Sequence, residues 1–163
     1  MAETEKQNKL TIVVFSGELD RALAAFMLAT TGASMGMDVT MFFTFWGLNI
    51  IKKNEGSLQS RGFLRKMFNI IDRGGSKRLK PSRFHMFGMG TWAMKKLMKE
   101  SKMPSLDELM NMAQEMGVKM IPCSTSCGLF GLEEGGFRPG VLGIAGAAYF
   151  LGEASDSKVV LFI

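Results

Sequence analysis

LTIVVFSGELDRALAAFMLATTGASMGMDVTMFFT, residues 10–44, is the stretch that decides the fold. Its first six residues form an apolar run rich in β-branched side chains, which is typical of a strand buried on both faces of a parallel sheet. Apolar residues then recur at helical spacing between Glu18 and Met35, and residues 38–44 predict a second strand. A strand, a helix and a strand within about 35 residues form a βαβ unit with a right-handed crossover.

The same alternation continues towards the carboxyl terminus. Ser105, followed by two acidic residues, predicts the start of a helix over SLDELMNMAQEMG, which ends at Gly117. The pattern then predicts a strand at 118–122, a short helix around 125–132, a strand at 140–144, a helix at 145–154 and a strand at 158–163. The sequence therefore predicts an α/β fold with a three-layer, open, mainly parallel five-stranded sheet that has helices on both faces.

A basic segment at about residues 47–104 interrupts this alternation, and we interpret it as a helical insertion with helices near 60–72 and 91–100. Residues 52–102 hold 14 Lys and Arg against three acidic residues, a local charge of +11, whereas the remainder of the chain carries −6. Such an asymmetry usually marks a surface for an acidic partner, and a solvated insertion without a partner is the alternative.

Length and composition limit the class of protein. A chain of 163 residues with 47% hydrophobic content fits one domain, residues 1–163. No apolar stretch approaches the ~20 residues that a membrane-spanning helix needs, so we expect no membrane span. The polar start MAETEKQNK does not resemble a signal peptide, which predicts a cytoplasmic location.

The sequence lacks the motifs of several functional classes. The chain has no G-x-x-x-x-G-K-[ST] phosphate loop and no G-x-S-x-G nucleophile elbow. Two cysteines and the single histidine, His85, do not provide four nitrogen and sulfur ligands for zinc, so we expect no metal. The basic segment lacks a recognised reading motif, and we expect no nucleic-acid partner.

The segment IPCSTSCGLFGL, residues 121–132, places Cys123 just after the third predicted strand. Binding and catalytic sites of open α/β sheets form at the carboxyl ends of strands. A helix that starts here would lower the pKa of the thiol from about 8.5 towards neutrality. The hydroxyls of Ser124, Thr125 and Ser126 would add donors that stabilise the anion. The alternative is that Cys123 is a buried, inert cysteine.

Cys127 follows four residues later and can share a helix face with Cys123, as a resolving thiol or a second sulfur carrier. It can equally be a packing residue. The C-x-x-x-C spacing differs from the C-x-x-C of thioredoxin-like sites, which weakens an inference of disulfide exchange. A thiol peroxidase, a third possible function, would form a sulfenate at Cys123 and then a disulfide with Cys127.

Several segments carry a resemblance to a known family. They are FTFWGLNIIKK after the second strand, GMGTWAMKKLMK, SLDELMNMAQEMGVKMIPCSTS and the closing YFLGEASDSKVVLFI. Over nearly the whole chain the sequence resembles DsrE-like proteins of the DsrE/DsrF group, and it is most similar to the branch with a long basic, Met-rich insertion, sometimes labelled peroxiredoxin-like. In that family a cysteine directly after the third strand carries a persulfide, and Cys123 holds the matching position. We expect a methionine at position 127 in relatives, so the resemblance implies no two-thiol mechanism.

The resemblance implies sulfur relay and not peroxide reduction. We predict a sulfurtransferase or sulfur carrier that takes a persulfide sulfur from a donor protein and passes it to an acceptor thiol, without metal or organic cofactor. The partners would include a small carrier with an acidic face. The resemblance also implies a homo-oligomer, for which an apolar cluster is available at Phe42, Phe43, Phe45 and Trp46. The alternative is a non-catalytic, oligomeric protein-binding module whose insertion recruits a protein or a membrane surface.

Overall fold

The computed structural model describes residues 7–53, 74–77, 79–82 and 89–163. Within them, four strands form one sheet in the order β3-β2-β1-β4. The strands are β1 (Gln7–Val14), β2 (Asp38–Phe43), β3 (Lys119–Pro122) and β4 (Ser157–Phe162). All neighbouring strands run parallel, with Val14 opposite Phe43 and Phe43 opposite Pro122. The carboxyl ends of β1, β2 and β3 therefore meet at one edge of the sheet.

The helices agree with most of the sequence predictions. They are α1 (Leu19–Ser34), α2 (Leu48–Ile51), α3 (Met89–Glu100), α4 (Leu106–Glu115), α5 (Ser124–Phe130) and α6 (Ala147–Asp156). The helix expected near 91–100 is confirmed as α3, whereas the one expected near 60–72 lies outside the described residues. In the part of the chain that the structure describes, no helix is long and apolar enough to cross a membrane.

Helices cover both faces of the sheet, which confirms the predicted three layers. On the face that we call the α1 face, Met41 and Met120 pack with Phe26 of α1 and Met110 of α4, and all four side chains are fully buried. On the opposite face, the α6 face, a smaller cluster packs against Phe150 of α6, and its buried members are Phe42, Ile121 and Cys123. Successive side chains of a strand point to opposite faces, so β2 contributes to both clusters.

The predicted strand count was wrong: the described residues contain four strands and not five. The segment expected as a strand at 140–144 runs beside β3 but makes only isolated parallel bridges, Met120 to Val141 and Cys123 to Ala145. Gly143 lies between these two bridges, and Gly140 has a φ of 89°. Glycines weaken a strand because they add backbone freedom and offer no side chain to pack, so this segment does not form a continuous ladder.

The loop after β2 folds tightly onto the end of β1. The Thr44 N–H donates to the Val14 carbonyl at 3.0 Å, and the Gly47 N–H donates to the Phe15 carbonyl at 2.8 Å. A Cβ atom added at Gly47 would lie 2.0 Å from the Val14 oxygen, so only glycine fits there. Between them Phe45 adopts a φ of 46°, which is uncommon for a residue with a bulky side chain. The loop is therefore packed closely against the carboxyl end of β1.

Candidate thiolate site

Cys123 is the residue that joins β3 to α5. Its N–H donates to the Phe43 carbonyl at 2.8 Å, which completes the last β2–β3 pair, Phe43 with Pro122. Its own carbonyl accepts the N–H of Cys127 at 2.9 Å, the first hydrogen bond of α5. Cys123 is thus the N-cap residue of α5, with extended backbone (φ −73°, ψ 123°). The thiol lies at the carboxyl edge of the sheet, where the sequence predicted it.

Polar groups around the sulfur favour its ionised form. Burial raises the pKa of Cys123, but the backbone N–H of Ser126, the hydroxyls of Thr44 and Ser126 and the backbone N–H of Thr125 act in the opposite direction. Their combined effect exceeds that of burial, and the pKa of the thiol is lowered. The Cys123 side chain makes no standard capping hydrogen bond to the helix. The donors therefore stabilise mainly the thiolate, because a charged sulfur accepts hydrogen bonds more strongly than a neutral thiol does.

Thr44, Phe45 and Ser126 form a small polar network next to the sulfur. The hydroxyls of Thr44 and Ser126 are 2.9 Å apart. The Ser126 hydroxyl oxygen also accepts the N–H of Phe45 at 3.0 Å, and Ser126 is 1% exposed. Because Ser126 accepts from the backbone of the tight loop, its position is set by that loop as well as by α5. The network connects the loop after β2 to the first turn of α5.

The site is close to the surface, but Cys123 itself is almost covered. Cys123 is 6% exposed. Its neighbours in sequence, Ser124 and Thr125, are exposed, and so are the side chains of Phe45 and Trp46. The Trp46 ring packs on Phe130 at the end of α5, with ring centroids 5.5 Å apart. Exposed polar and aromatic side chains thus lie around a sulfur that is itself almost covered.

Cys127 has a different environment from Cys123. It is 2% exposed and belongs to the hydrophobic cluster of the α1 face, whereas Cys123 belongs to that of the α6 face. Burial and the charge of Cys123 together raise the pKa of Cys127 to about 12, although Lys52 partly opposes them. Both cysteines are free thiols. Within the described ranges no three His, Cys, Asp or Glu side chains come together as metal ligands.

The structure assigns different positions to the three predicted anion-stabilising residues. Ser126 lies beside the sulfur with both its N–H and its hydroxyl, and Thr125 contributes its backbone N–H. Ser124 donates its N–H to the Ala145 carbonyl at 2.8 Å, so that group is engaged away from the thiol. The sequence interpretation missed Thr44. The available signal was its position one residue after β2, since the carboxyl ends of parallel strands meet at one edge.

The apolar cluster considered for oligomer contacts is only partly on the surface. Phe42 and Phe43 are buried in the two cores, while Phe45 and Trp46 are exposed by 41% and 42%. Other exposed apolar side chains lie on the edge strand β4 and on helix α6, namely Leu151, Val159, Val160 and Phe162. Phe162 is 71% exposed and stacks on Phe15, which also contacts Phe45.

Comparison with known proteins identifies the family. The model of the DsrE/DsrF/DrsH-like family matches residues 6–162, nearly the whole chain. This chain belongs to that family. A relative that matches along the full length supports this assignment. It is the uncharacterized protein YrkE of Bacillus subtilis, which is 38% identical over 160 residues. The match covers 98% of this chain and 99% of that protein.

A second relative has a functional name. The protein named sulfur carrier protein DsrE2 of Allochromatium vinosum is 36% identical over 168 aligned residues, which cover 97% of this chain and 99% of that protein. The crystal structure of the ychN protein from E. coli matches with a TM-score of 0.53 at 11% sequence identity. That match covers 95% of this chain and 98% of the other, and it shows a shared fold.

Proposed function

We propose that this DsrE-family protein is a sulfur carrier or sulfurtransferase that holds a persulfide on Cys123 and passes the outer sulfur to a thiol of a partner protein. The observation that carries the proposal is the lowered pKa of a cysteine at the carboxyl edge of the sheet, next to donors from Thr44, Thr125 and Ser126. The thiolate is the nucleophilic form of cysteine. The A. vinosum relative, whose name is sulfur carrier protein, supports the same role.

The reaction proceeds in two balanced exchanges. In the first, the Cys123 thiolate attacks the outer sulfur of a donor persulfide, the donor's S–S bond breaks, and the donor leaves as a thiolate. In the second, an acceptor thiolate attacks the outer sulfur on Cys123, and Cys123 leaves as a thiolate. Each broken S–S bond is replaced by a new one, so the transfer requires no oxidant, reductant, metal or organic cofactor.

The donors around Cys123 act in both exchanges. They increase the thiolate fraction before loading, and they stabilise Cys123 as a leaving group during delivery, because thiols of lower pKa leave faster. A persulfide also places the transferable sulfur about 2 Å beyond Sγ, the length of an S–S bond. This extension compensates for the low exposure of Cys123 itself.

We assign the transfer to Cys123, with Cys127 as a supporting residue that stays protonated. A thiol with a pKa of about 12 is almost entirely neutral at physiological pH, and a neutral thiol is a poor nucleophile. Cys127 also packs in the core of the α1 face. This arrangement favours a single carrier thiol over the two-thiol mechanism in which Cys127 resolves or accepts the persulfide.

The donor and acceptor proteins, including a small acidic-faced carrier, would dock through the basic region of the chain. Among the described residues of this region, the exposed lysines of α3 are Lys95, Lys96 and Lys99. Such a surface attracts an acidic partner by electrostatic steering, which salt weakens. We also propose a cytoplasmic location, where the two free thiols would remain reduced.

We further propose that the protein is a homo-oligomer that buries the apolar surface of β4. This strand lies at the edge of the sheet, and an exposed apolar edge strand readily pairs or packs with another chain. Its side chains Val160 and Phe162 remain exposed beside α6. A second copy of the chain would cover them without covering the α1 face.

Mass spectrometry after incubation with a low-molecular-weight persulfide donor tests the proposed function. We expect a mass increase of about 32 Da, one sulfur atom, on a peptide that contains Cys123. Cys123→Ser should not load, and Cys127→Ala should load like the wild type. Loaded protein should then lose the adduct when a thiol acceptor is added.

The alternative, a binding module without transfer, gives a different result in the same experiment. If the wild type does not load while its thiol remains titratable, the persulfide role is wrong and the module is favoured. Loading on Cys127 in the Cys123→Ser variant would contradict the assignment of the two cysteines.

A further inference from the structure

A cavity of about 660 Å³ lies between α3, the start of α4 and the first residue of α1. Its volume falls within the range of small-molecule binding pockets, about 300 to 1,000 Å³. The apolar part of its lining comes from Leu19 and Leu106, which are buried, and from Met98 and Met103, which are half-buried. The segment at 76–77 forms another wall, and it is held by a hydrogen bond from Ser76 to Asp107.

The remaining lining is strongly basic. It includes Lys77, Lys95, Lys99 and Lys102. The ammonium group of Lys95 donates to the Lys77 carbonyl at 3.1 Å, which connects α3 to the opposite wall. Lys99 and Lys102 form no ion pair with the described residues. Several like charges around one concave site favour an anion.

The two acidic residues of the lining already have partners. Glu108 belongs to the capping box of α4, in which its carboxylate accepts the N–H and the hydroxyl of Ser105, and these bonds lower the pKa of Glu108. The carboxylate of Asp107 accepts the Ser76 hydroxyl and lies 3.6 Å from the Arg138 guanidinium. These hydrogen bonds position the carboxylates but do not neutralise them, so the lining has four lysines against two carboxylates, a net charge of +2.

Lys102 occupies a position that usually belongs to glycine. The Met103 N–H donates to the Met98 carbonyl and the Lys102 N–H to the Lys99 carbonyl, which is the Schellman arrangement that ends a helix. The residue that adopts the left-handed conformation in this arrangement is Lys102, with a φ of 54°. A side chain in this conformation costs free energy that glycine would not, so the lysine is unfavourable for the backbone while it places a positive charge on the cavity.

We propose that this cavity binds a small amphipathic anion, with the apolar part of the ligand on Leu19, Met98 and Leu106 and its phosphate, sulfate or carboxylate group on Lys99 and Lys102. The combination of a buried apolar lining and a basic margin fits such a molecule better than a purely polar anion. A concave site of this volume can hold a small ligand, whereas a protein partner usually contacts a flatter and larger surface. The cavity lies on the α1 face and the proposal does not depend on persulfide transfer.

Isothermal calorimetry with octyl phosphate, octanol and inorganic phosphate tests this site in the full chain. Octyl phosphate combines an apolar chain with an anionic group, and each of the other two probes has only one of these features. We expect octyl phosphate, below the concentration at which it forms micelles, to bind at least about tenfold more tightly than either control. Equal affinity for octyl phosphate and one of the controls would overturn the proposal.

Variants of α3 locate the binding. Lys99→Gln and Lys102→Gly should each weaken octyl phosphate binding by about threefold to tenfold. Lys102→Gly should not lower the melting temperature, since glycine suits its backbone, so a loss of affinity would not reflect unfolding. Lys96→Gln is the matched control, because Lys96 on the same helix lies over the Trp92 ring and 3.9 Å from Glu100, outside the cavity lining.

Two results would contradict this location. If Lys96→Gln weakens binding as much as Lys99→Gln does, the effect is general surface electrostatics and the proposed site is wrong. If poly-glutamate displaces octyl phosphate and Lys96→Gln weakens the binding of both probes, the lysines form one docking surface for acidic polypeptides and the small-molecule proposal is overturned.

Discussion

The Thr44 hydroxyl lies 2.9 Å from the Ser126 hydroxyl, although 82 residues separate them in sequence. Both hydroxyls lower the pKa of Cys123. One belongs to the loop after β2 and the other to the first turn of α5, so two elements that are distant along the chain jointly stabilise one sulfur anion. The reactivity of Cys123 is consequently a property of the folded sheet edge and not of the CSTSC segment alone.

Removal of the Thr44 hydroxyl should make the thiol less acidic. Thr44→Val preserves the shape of the side chain and deletes one donor, so we expect the pKa of Cys123 to rise by about one to two units, the range for a hydrogen bond to a charged group. The pH dependence of the iodoacetamide alkylation rate measures this shift. Thr40→Val is the matched control, because Thr40 lies in β2 just before Thr44 and its hydroxyl donates to Glu153. An unchanged alkylation profile in Thr44→Val would show that Thr44 does not act on the sulfur.

Thr44 and Ser126 should also behave as a coupled pair. Ser126→Ala removes a hydroxyl donor and leaves the Phe45 N–H without its acceptor. We therefore expect Ser126→Ala to raise the pKa of Cys123 at least as much as Thr44→Val does. The double variant should show a shift smaller than the sum of the two, since each hydroxyl positions the other. Strictly additive shifts would indicate that the two groups act independently.

The local part of the site could be predicted from the sequence, and the long-range part was missed. Cys123 and Ser126 lie within four residues after a predicted strand, so periodicity and the rule for strand ends were sufficient to suggest them. Thr44 required the strand order, which places β2 next to β3. The strand at 140–144 was overpredicted because its apolar residues fit the strand pattern, while its glycines prevented a continuous ladder.

The opposite environments of the two cysteines were also beyond the sequence. A spacing of four residues suggests one helix face, but Cys123 precedes α5 as its N-cap and only Cys127 lies within the helix. The two side chains consequently enter different clusters. Spacing alone does not reveal that the two side chains enter different clusters, because this outcome depends on the residue at which α5 begins.

The buried thiol of Cys127 should make stability decrease at alkaline pH. Its folded pKa of about 12 lies above that of an unfolded thiol, so the unfolded state loses its proton first as the pH rises. Above about pH 8.5 the free energy of unfolding should therefore fall by about 1.4 kcal/mol per pH unit. Urea unfolding under reducing conditions at about pH 8 and about pH 10 should show a decrease about 2 kcal/mol larger for the wild type than for Cys127→Ala. Equal decreases would mean that Cys127 is accessible to solvent.

The apolar surface of β4 should control self-association. Phe162→Lys places a charge in the contact that we propose, and we expect it to shift the protein to the monomer in size-exclusion chromatography with light scattering. Met35→Lys is the matched control, because Met35 is 72% exposed and lies at the end of α1. Phe162→Lys also removes the stacking of Phe162 on Phe15 and the stabilisation that an oligomer provides, so circular dichroism at about 25 °C should confirm that both mutants remain folded. A wild type that is monomeric at all concentrations would contradict the proposed oligomer.

Gly47 has a role in this site although it has no side chain. Its Cα lies so close to the Val14 carbonyl that a methyl group cannot be accommodated, and the turn from Thr44 to Gly47 depends on that approach. A glycine-to-alanine scan intended to increase thermal stability would displace this turn and, with it, the hydroxyl that faces the sulfur. The pKa of Cys123, in the second half of the chain, thus depends on how closely the backbone at Gly47 can approach the end of the first strand.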